Sequence, residues 1–210
     1  MKFSVNQKDL QNSLNYCQGV IEKRSTLPIL SNVLLQAKDG NLNITATDLD
    51  LIFIQNISNI EIAEEGETTT SCSIMYDIVR KFNNEKKINF NLINENKINL
   101  ETDKSSFNLN CLKASEFPIT DSNFRENEFT LNSKKLLKLL NKCKFSVSND
   151  ETRHYLSGIF LHINENDNKK FLTAVATDSH RMAISKILLT EEIKFEPIIL
   201  PKKTIFQLCS

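Results

Sequence analysis

Apolar residues recur along this chain at two spacings, every second residue and every third or fourth, and the switches between them mark its elements. Phe3 and Val5 alternate with polar neighbours as a short strand. Leu10, Leu14 and Cys17 then fall at helical spacing behind Asn6, a residue type that caps helices. Ile29 to Gln36 reads as a buried strand turning at Asp39-Gly40, and Asn41 to Ala46 returns as the second arm of a hairpin. Thr47-Asp48 interrupts the pattern, and 49–62 continues as one or two strands before a turn at Gly66. A second helix is expected over Ser73 to Phe82, where Ile74, Ile78 and Phe82 stand four apart with Met75 and Val79 beside them. The runs 87–92, 97–100 and 107–110 each alternate apolar with polar, as antiparallel strands with one wet face do. From Phe117-Pro118 to Asn127 the chain is polar without period and reads as a linker.

After that linker the pattern begins again. Phe3, Asn6, Leu10, Leu14 and Cys17 line up with Phe129, Asn132, Leu136, Leu140 and Cys143, each pair 126 apart, and Leu30–Leu35 keeps that offset against Leu156–Leu161. Ala46-Thr47-Asp48 returns as Ala176-Thr177-Asp178 at an offset of 130, so four residues enter between the two strands, where Asn164–Asn168 reads as a longer turn. The second copy opens with a helix over Asn132 to Lys144. Its inner stripe is Leu136, Leu140 and Cys143, and its other positions hold Lys134, Lys135, Lys138, Lys142 and Lys144 with no acid among them. A loop over 149–154, a hairpin through Asp178, a strand over Met182 to Ile187 and a helix opened by Pro201-Lys202-Lys203-Thr204 follow. The organisation expected is α+β, one domain over 1–120, a linker over 121–127, and a second domain over 128–210. Each domain has two helices packed on antiparallel sheets. The first copy runs 127 − 80 = 47 residues past the point matching Ser210, and those residues hold its meander. The second copy is therefore expected to be incomplete, cut within its second helix, and the natural protein longer.

Composition narrows the function classes. With 26 basic and 26 acidic residues the formal charge is zero, there is no block of like charge, and 40% of residues are hydrophobic. The N-terminus lacks the apolar stretch of a secretory signal and no run approaches a membrane span, so a cytoplasmic protein is expected. Five scattered cysteines, Cys17, Cys72, Cys111, Cys143 and Cys209, show no metal-ligand spacing and read as small packing residues in a reducing compartment. Only four glycines occur and no phosphate-loop motif, so no nucleotide cofactor is expected, and no metal. Asp178-Ser179-His180 can be read as the acid and base of a DNA-modifying enzyme, but its repeat at Asp48 has no His beside it, and an Asp ending a strand more often caps a turn.

Six pieces in order carry a resemblance: Met1-Lys2-Phe3, Thr26-Leu27-Pro28-Ile29-Leu30, Thr47-Asp48-Leu49, Phe117-Pro118, Tyr155-Leu156-x-Gly158, and Ala176-Thr177-Asp178-x-His180-Arg181. With their spacing, the chain resembles the bacterial DNA polymerase III beta subunit family, the replicative sliding clamps, over its whole length. The resemblance implies a non-catalytic processivity factor of DNA replication, part of the DNA polymerase III holoenzyme. It implies a homodimeric ring around double-stranded DNA, each full-length chain carrying three copies of one domain, the third absent here, with helices lining the hole. It implies DNA contacts without sequence preference, carried over directly at Arg24; position on the helix faces adds Arg80, Lys134, Lys135, Lys138, Lys142, Lys202 and Lys203 as expected contacts. It further implies a groove for linear peptides of the polymerase catalytic subunit, the clamp loader, other polymerases and repair proteins, built from Leu156, Thr177, Ser179, His180, Arg181 and Met182. Ser179 stands where the family commonly has Gly, and His154 where it commonly has Tyr. A tether that encircles DNA needs only weak phosphate contacts, which suits zero net charge with locally basic helices.

Overall fold

The computed structural model describes residues 1–22, 26–82, 87–119, 129–150, 152–190 and 196–209, and the chain divides into two compact units, Met1–Thr120 and Asp121–Ser210. The expected linker over 121–127 and Arg24 lie outside the described residues.

In the first unit, strand β1 (Lys2–Asn6) leads into helix α1 (Gln7–Gln18), whose first turn is capped by Asn6: its side-chain oxygen accepts from the N–H groups of Lys8 and Asp9. Leu10, Leu14 and Cys17 are fully buried along one stripe of the helix. Strands β2 (Asn32–Lys38) and β3 (Asn41–Thr47) form a hairpin around Asp39 and Gly40, with φ of 50° and 71°, the pair of left-handed residues that a tight hairpin turn needs. Strands β4 (Ile52–Ser58), β5 (Glu61–Glu64) and β6 (Gly66–Ser71) precede helix α2 (Cys72–Val79), and β7 (Lys87–Asn94), β8 (Lys97–Glu101) and β9 (Ser106–Leu112) form the meander. All nine strands join one antiparallel sheet in the order β4-β3-β2-β6-β9-β8-β7-β1-β5. The helices run antiparallel: Gln7 Nε2 donates to the Val79 carbonyl at 2.9 Å, and at the far end Ser73 Oγ donates to Gln18 Oε1 at 3.2 Å. Both helices close one core with residues from either end of the sheet, among them Val33, Ile44, Phe90 and Leu100. Strand β2 is buried on both faces, because Leu34 on the opposite side sits under Ile29 and Phe117.

The second unit repeats half of this plan. Helix α3 (Ser133–Asn141) is capped by Asn132, whose side chain accepts from Lys135 N–H at 3.1 Å. Strands β10 (Gly158–Asn166), β11 (Lys169–Thr177), β12 (Met182–Leu188) and β13 (Ile198–Pro201) form a sheet in the order β12-β11-β10-β13, the same order as β4-β3-β2-β6, and helix α4 (Lys202–Leu208) follows. Leu139, Leu140, Cys143 and Ile205 pack on Ile159, Leu161, Leu172 and Ala174.

Several expectations need correction. Pro28–Ser31 is a 3-10 turn, so β2 starts at Asn32 rather than Ile29; Pro28 fixes φ for the turn and supplies no N–H to a ladder. Helix α2 ends at Val79 rather than Phe82, and Cys72, Met75 and Val79 form its buried stripe while Ile74 is 54% exposed. Helix α3 ends at Asn141, and Lys144–Ser146 is a separate 3-10 turn. Pro201 closes β13 and flanks α4 rather than lying in its first turn. The four extra residues of the second copy do not lengthen the turn. Asp167 and Asn168, φ 50° and 58°, form the same two-residue turn, and β10 and β11 each have nine residues where β2 and β3 have seven. Two residues per strand preserve the in-and-out alternation, which one would reverse. Among the described residues no helix is long and apolar enough to cross a membrane.

Candidate nucleic-acid interface and partner groove

At 100° per residue, Lys134, Lys135, Lys138 and Lys142 span about 100° of the α3 surface, on the side away from Leu136, Leu139, Leu140 and Cys143. All four are exposed and the helix holds no acid, so its polar face is a strip of positive charge. The matching positions of α1 hold Lys8, Asp9, Asn12 and Tyr16, so the basic strip belongs to the second copy alone. The remaining candidate cations have other neighbours. Arg80 pairs with Asp77 at 3.0 Å and lies over the Tyr76 ring, while Lys202 is half-buried with its ammonium on Asn149 Oδ1. Lys203 is half-buried on the first turn of α4.

The candidate groove residues come from two loops. Thr177 to Met182 forms the turn between β11 and β12. Asp178 Oδ1 accepts from the N–H groups of His180 and Arg181 at 3.1 and 3.0 Å, and Oδ2 accepts from Arg181 Nε at 2.8 Å. Thr177 Oγ1 donates to the Arg181 carbonyl at 2.8 Å, and Ser179 occupies the left-handed region at φ 75°. The backbone N–H of Arg181 is the main reason the Asp178 carboxyl is held below the usual aspartate range, with desolvation opposing it. The same turn occurs at Asp48, which accepts from Asp50 and Leu51 N–H at 3.1 and 2.7 Å, with Leu49 at φ 83°. Asp178 is therefore committed to holding a turn. Among the described residues no hydrogen bond joins it to the His180 ring, and no cluster of three or more metal-ligating side chains occurs.

Leu156 arrives on the other loop, at the end of a 3-10 turn (His154–Leu156) locked by Leu156 N–H to the Arg153 carbonyl at 2.9 Å and by Ser148 N–H to the Leu156 carbonyl at 3.0 Å. His180, Arg181 and Met182 are exposed, Met182 by 62%, beside half-buried Leu156 and Thr177. These residues present apolar and hydrogen-bonding side chains at the surface of the second unit. Three residues outside the predicted site, Phe145, Asp150 and Arg153, make side-chain contacts in these two loops. Arg153 donates from Nε to Asp150 at 2.8 Å and from Nη1 to Ser179 Oγ at 3.0 Å, and the Arg181 guanidinium lies 5.5 Å over the Phe145 ring. Asp150-x-x-Arg153 and Asp178-x-x-Arg181 share one spacing, the signal that could have found the first pair.

Comparison with known proteins gives this geometry its context. Residues 1–121 match the DNA polymerase III beta subunit N-terminal domain, and residues 130–210 match the central domain of the same subunit. The chain belongs to the DNA polymerase III beta subunit family. It is 34% identical over 209 residues to the beta sliding clamp of Caulobacter vibrioides, covering 98% of this chain and 55% of that protein. It is 37% identical over 204 residues to that of Rickettsia felis, covering 97% and 52%. Among solved structures, the Caulobacter crescentus pol III beta aligns with a TM-score of 0.92 at 32% identity, over 99% of this chain and 56% of that one. The sliding clamp of Bartonella birtlesii bound to griselimycin aligns with a TM-score of 0.93 at 33% identity, over 100% and 56%. The chain thus spans about half the length of the family relatives it matches.

Proposed function

We propose that this chain supplies the first domain and part of the second domain of a sliding clamp, a non-catalytic processivity factor that encircles duplex DNA in the cytoplasm as a homodimeric ring. In this reading α3 faces the DNA, with Lys134, Lys135, Lys138 and Lys142 as weak phosphate contacts, and Arg24, Arg80, Lys202 and Lys203 as further contacts. The strip formed by Leu156, Thr177, Ser179, His180, Arg181 and Met182 takes linear peptides of the polymerase catalytic subunit, the clamp loader, other polymerases and repair proteins. The observation that carries the reading is the acid-free lysine face of α3 in a chain of zero net charge. Positive charge confined to one helix face suits a contact that must hold DNA without gripping it.

The test is topological. The intact protein, loaded on a nicked circle, is expected to stay bound through a salt wash and to be lost when the same circle is linearised. Equal retention on circle and linear DNA, falling with salt alone, would replace the clamp by an ordinary electrostatic binder.

A further inference from the structure

The second copy also differs from the first beside the hairpin, where the two folds coincide. In each, a short 3-10 turn precedes the hairpin, Pro28–Ser31 in the first and His154–Leu156 in the second, and the strand after the hairpin, β4 or β12, is reached through a Thr-Asp turn with a left-handed third residue. The residue before the 3-10 turn is Leu27 in the first copy and Arg153 in the second. The left-handed residue is Leu49 in the first and Ser179 in the second. Two exposed leucines are thus exchanged for an arginine and a serine joined at 3.0 Å.

Arg153 is held from its other side as well. Its Nε donates to Asp150 Oδ2, and Asp150 accepts in turn from the Thr152 N–H at 3.0 Å and the Thr152 hydroxyl at 2.6 Å. The Ser157 hydroxyl donates to the Asp150 carbonyl at 3.1 Å, so both ends of the 150–157 segment are fastened to this carboxylate and its backbone. Hydrogen bonds from Thr152 and then Arg153 hold the Asp150 carboxyl below the usual aspartate range, which favours the carboxylate that Arg153 faces. The chain of contacts Thr152, Asp150, Arg153, Ser179 therefore spans from the loop that delivers Leu156 to the turn that delivers His180, Arg181 and Met182.

We propose that Arg153 and Ser179 form a latch that sets the spacing of the two walls of the peptide groove, Arg153 acting as a positioning residue and Ser179 as its acceptor. The proposal rests on the groove reading above. The guanidinium fork fixes two directions at once, one to Asp150 and one to Ser179, so it can hold a loop against a turn where a point charge could not. The ligand favoured is an extended peptide with apolar side chains, because Arg153 and Arg181 each already face a carboxylate of this chain, Asp150 and Asp178. A groove held at one width loses less freedom when a ligand enters.

The experiment is a titration of the intact protein with griselimycin, the ligand held by the Bartonella birtlesii relative. Ser179→Ala and Arg153→Ala are each expected to weaken binding about five- to tenfold, the scale of one charge-assisted hydrogen bond at a partly wet site. The double variant is expected to be no weaker than the weaker single one. Ser179→Asn, which tolerates the left-handed backbone and restores an acceptor, is expected to bind within about twofold of the unsubstituted protein. The Arg153 Nη protons, held distinct by Ser179, should merge in the NMR spectrum of Ser179→Ala. Additive losses would make Arg153 a direct ligand contact, and unchanged binding by Ser179→Ala with merged Nη signals would make the latch idle; either overturns the proposal. Absence of griselimycin binding to the unsubstituted protein would overturn the groove reading itself, while distinct Nη signals lost in Ser179→Ala would still show the tie between loop and turn.

Discussion

Gly158 has no room for a side chain. A Cβ there would lie 2.4 Å from the Leu200 carbonyl oxygen and 2.6 Å from Ile199 Cγ2, because β13 pairs antiparallel with the start of β10. Gly158→Ala is expected to cost about 1–3 kcal/mol by forcing β13 away, the range of overpacking in a filled site, and a urea titration of the second unit's transition reads it. No loss would mean that β13 moves freely. The matching residue of the first copy is Asn32, which spends its side chain on Thr69 Oγ1 at 3.1 Å. Repetition of the fold therefore did not carry repetition of this residue. Four of the five cysteines are buried and Cys209 is half-buried. Cys17, fully buried beside Cys72, has its thiol pushed up by that neighbour and by burial, which keeps it protonated in the core.

At the scale of elements, helices α1 and α3 were legible because a capping Asn precedes an apolar stripe of the right period, and the meander β7-β8-β9 was legible because its strands alternate cleanly. Strand β6 was not. Thr68, Thr69 and Thr70 are all buried, yet nothing in a run of three threonines alternates. Their hydroxyls are satisfied only in the assembled sheet, where Thr69 and Thr70 donate to the Leu112 and Asn110 carbonyls of β9 at 3.0 Å each. Strand β13 escaped for a different reason, being four residues long and ended by a proline. Helix α3 carries the prediction proper to this scale. Replacing Lys134, Lys135, Lys138 and Lys142 with Gln is expected to reduce the slope of log affinity against log salt by about 0.9 for each lysine that sits on a phosphate. The folded state should be untouched, since all four are exposed. An unchanged slope would move the DNA contact off this helix.

For the whole molecule, the two units differ in how well they cover themselves. Leu34 of the first unit is 1% exposed beneath Phe117, whereas its counterpart Phe160 is 40% exposed in a row running Ile199, Phe160, Val175, Ile184 across the outer face of the second sheet. Urea unfolding of the 210-residue chain should therefore show two transitions, the second unit melting first and binding a hydrophobic dye before the first unit opens. A single transition reported alike by probes in both units would contradict this.

The sequence alone determined that one unit is used twice, where α1 and α3 begin and which of their faces are apolar, and which helix face is basic; all of these are local periodicities or residue types that one stretch of chain expresses by itself. The tertiary structure decided the rest. It placed the inserted four residues in the strands rather than the turn, made three threonines a central strand, turned Ile74 outward, and brought Arg153 to Ser179 across 26 residues of chain. Each of these outcomes depends on a partner distant in sequence, and pairing energy between distant residues leaves no period in the chain that carries them.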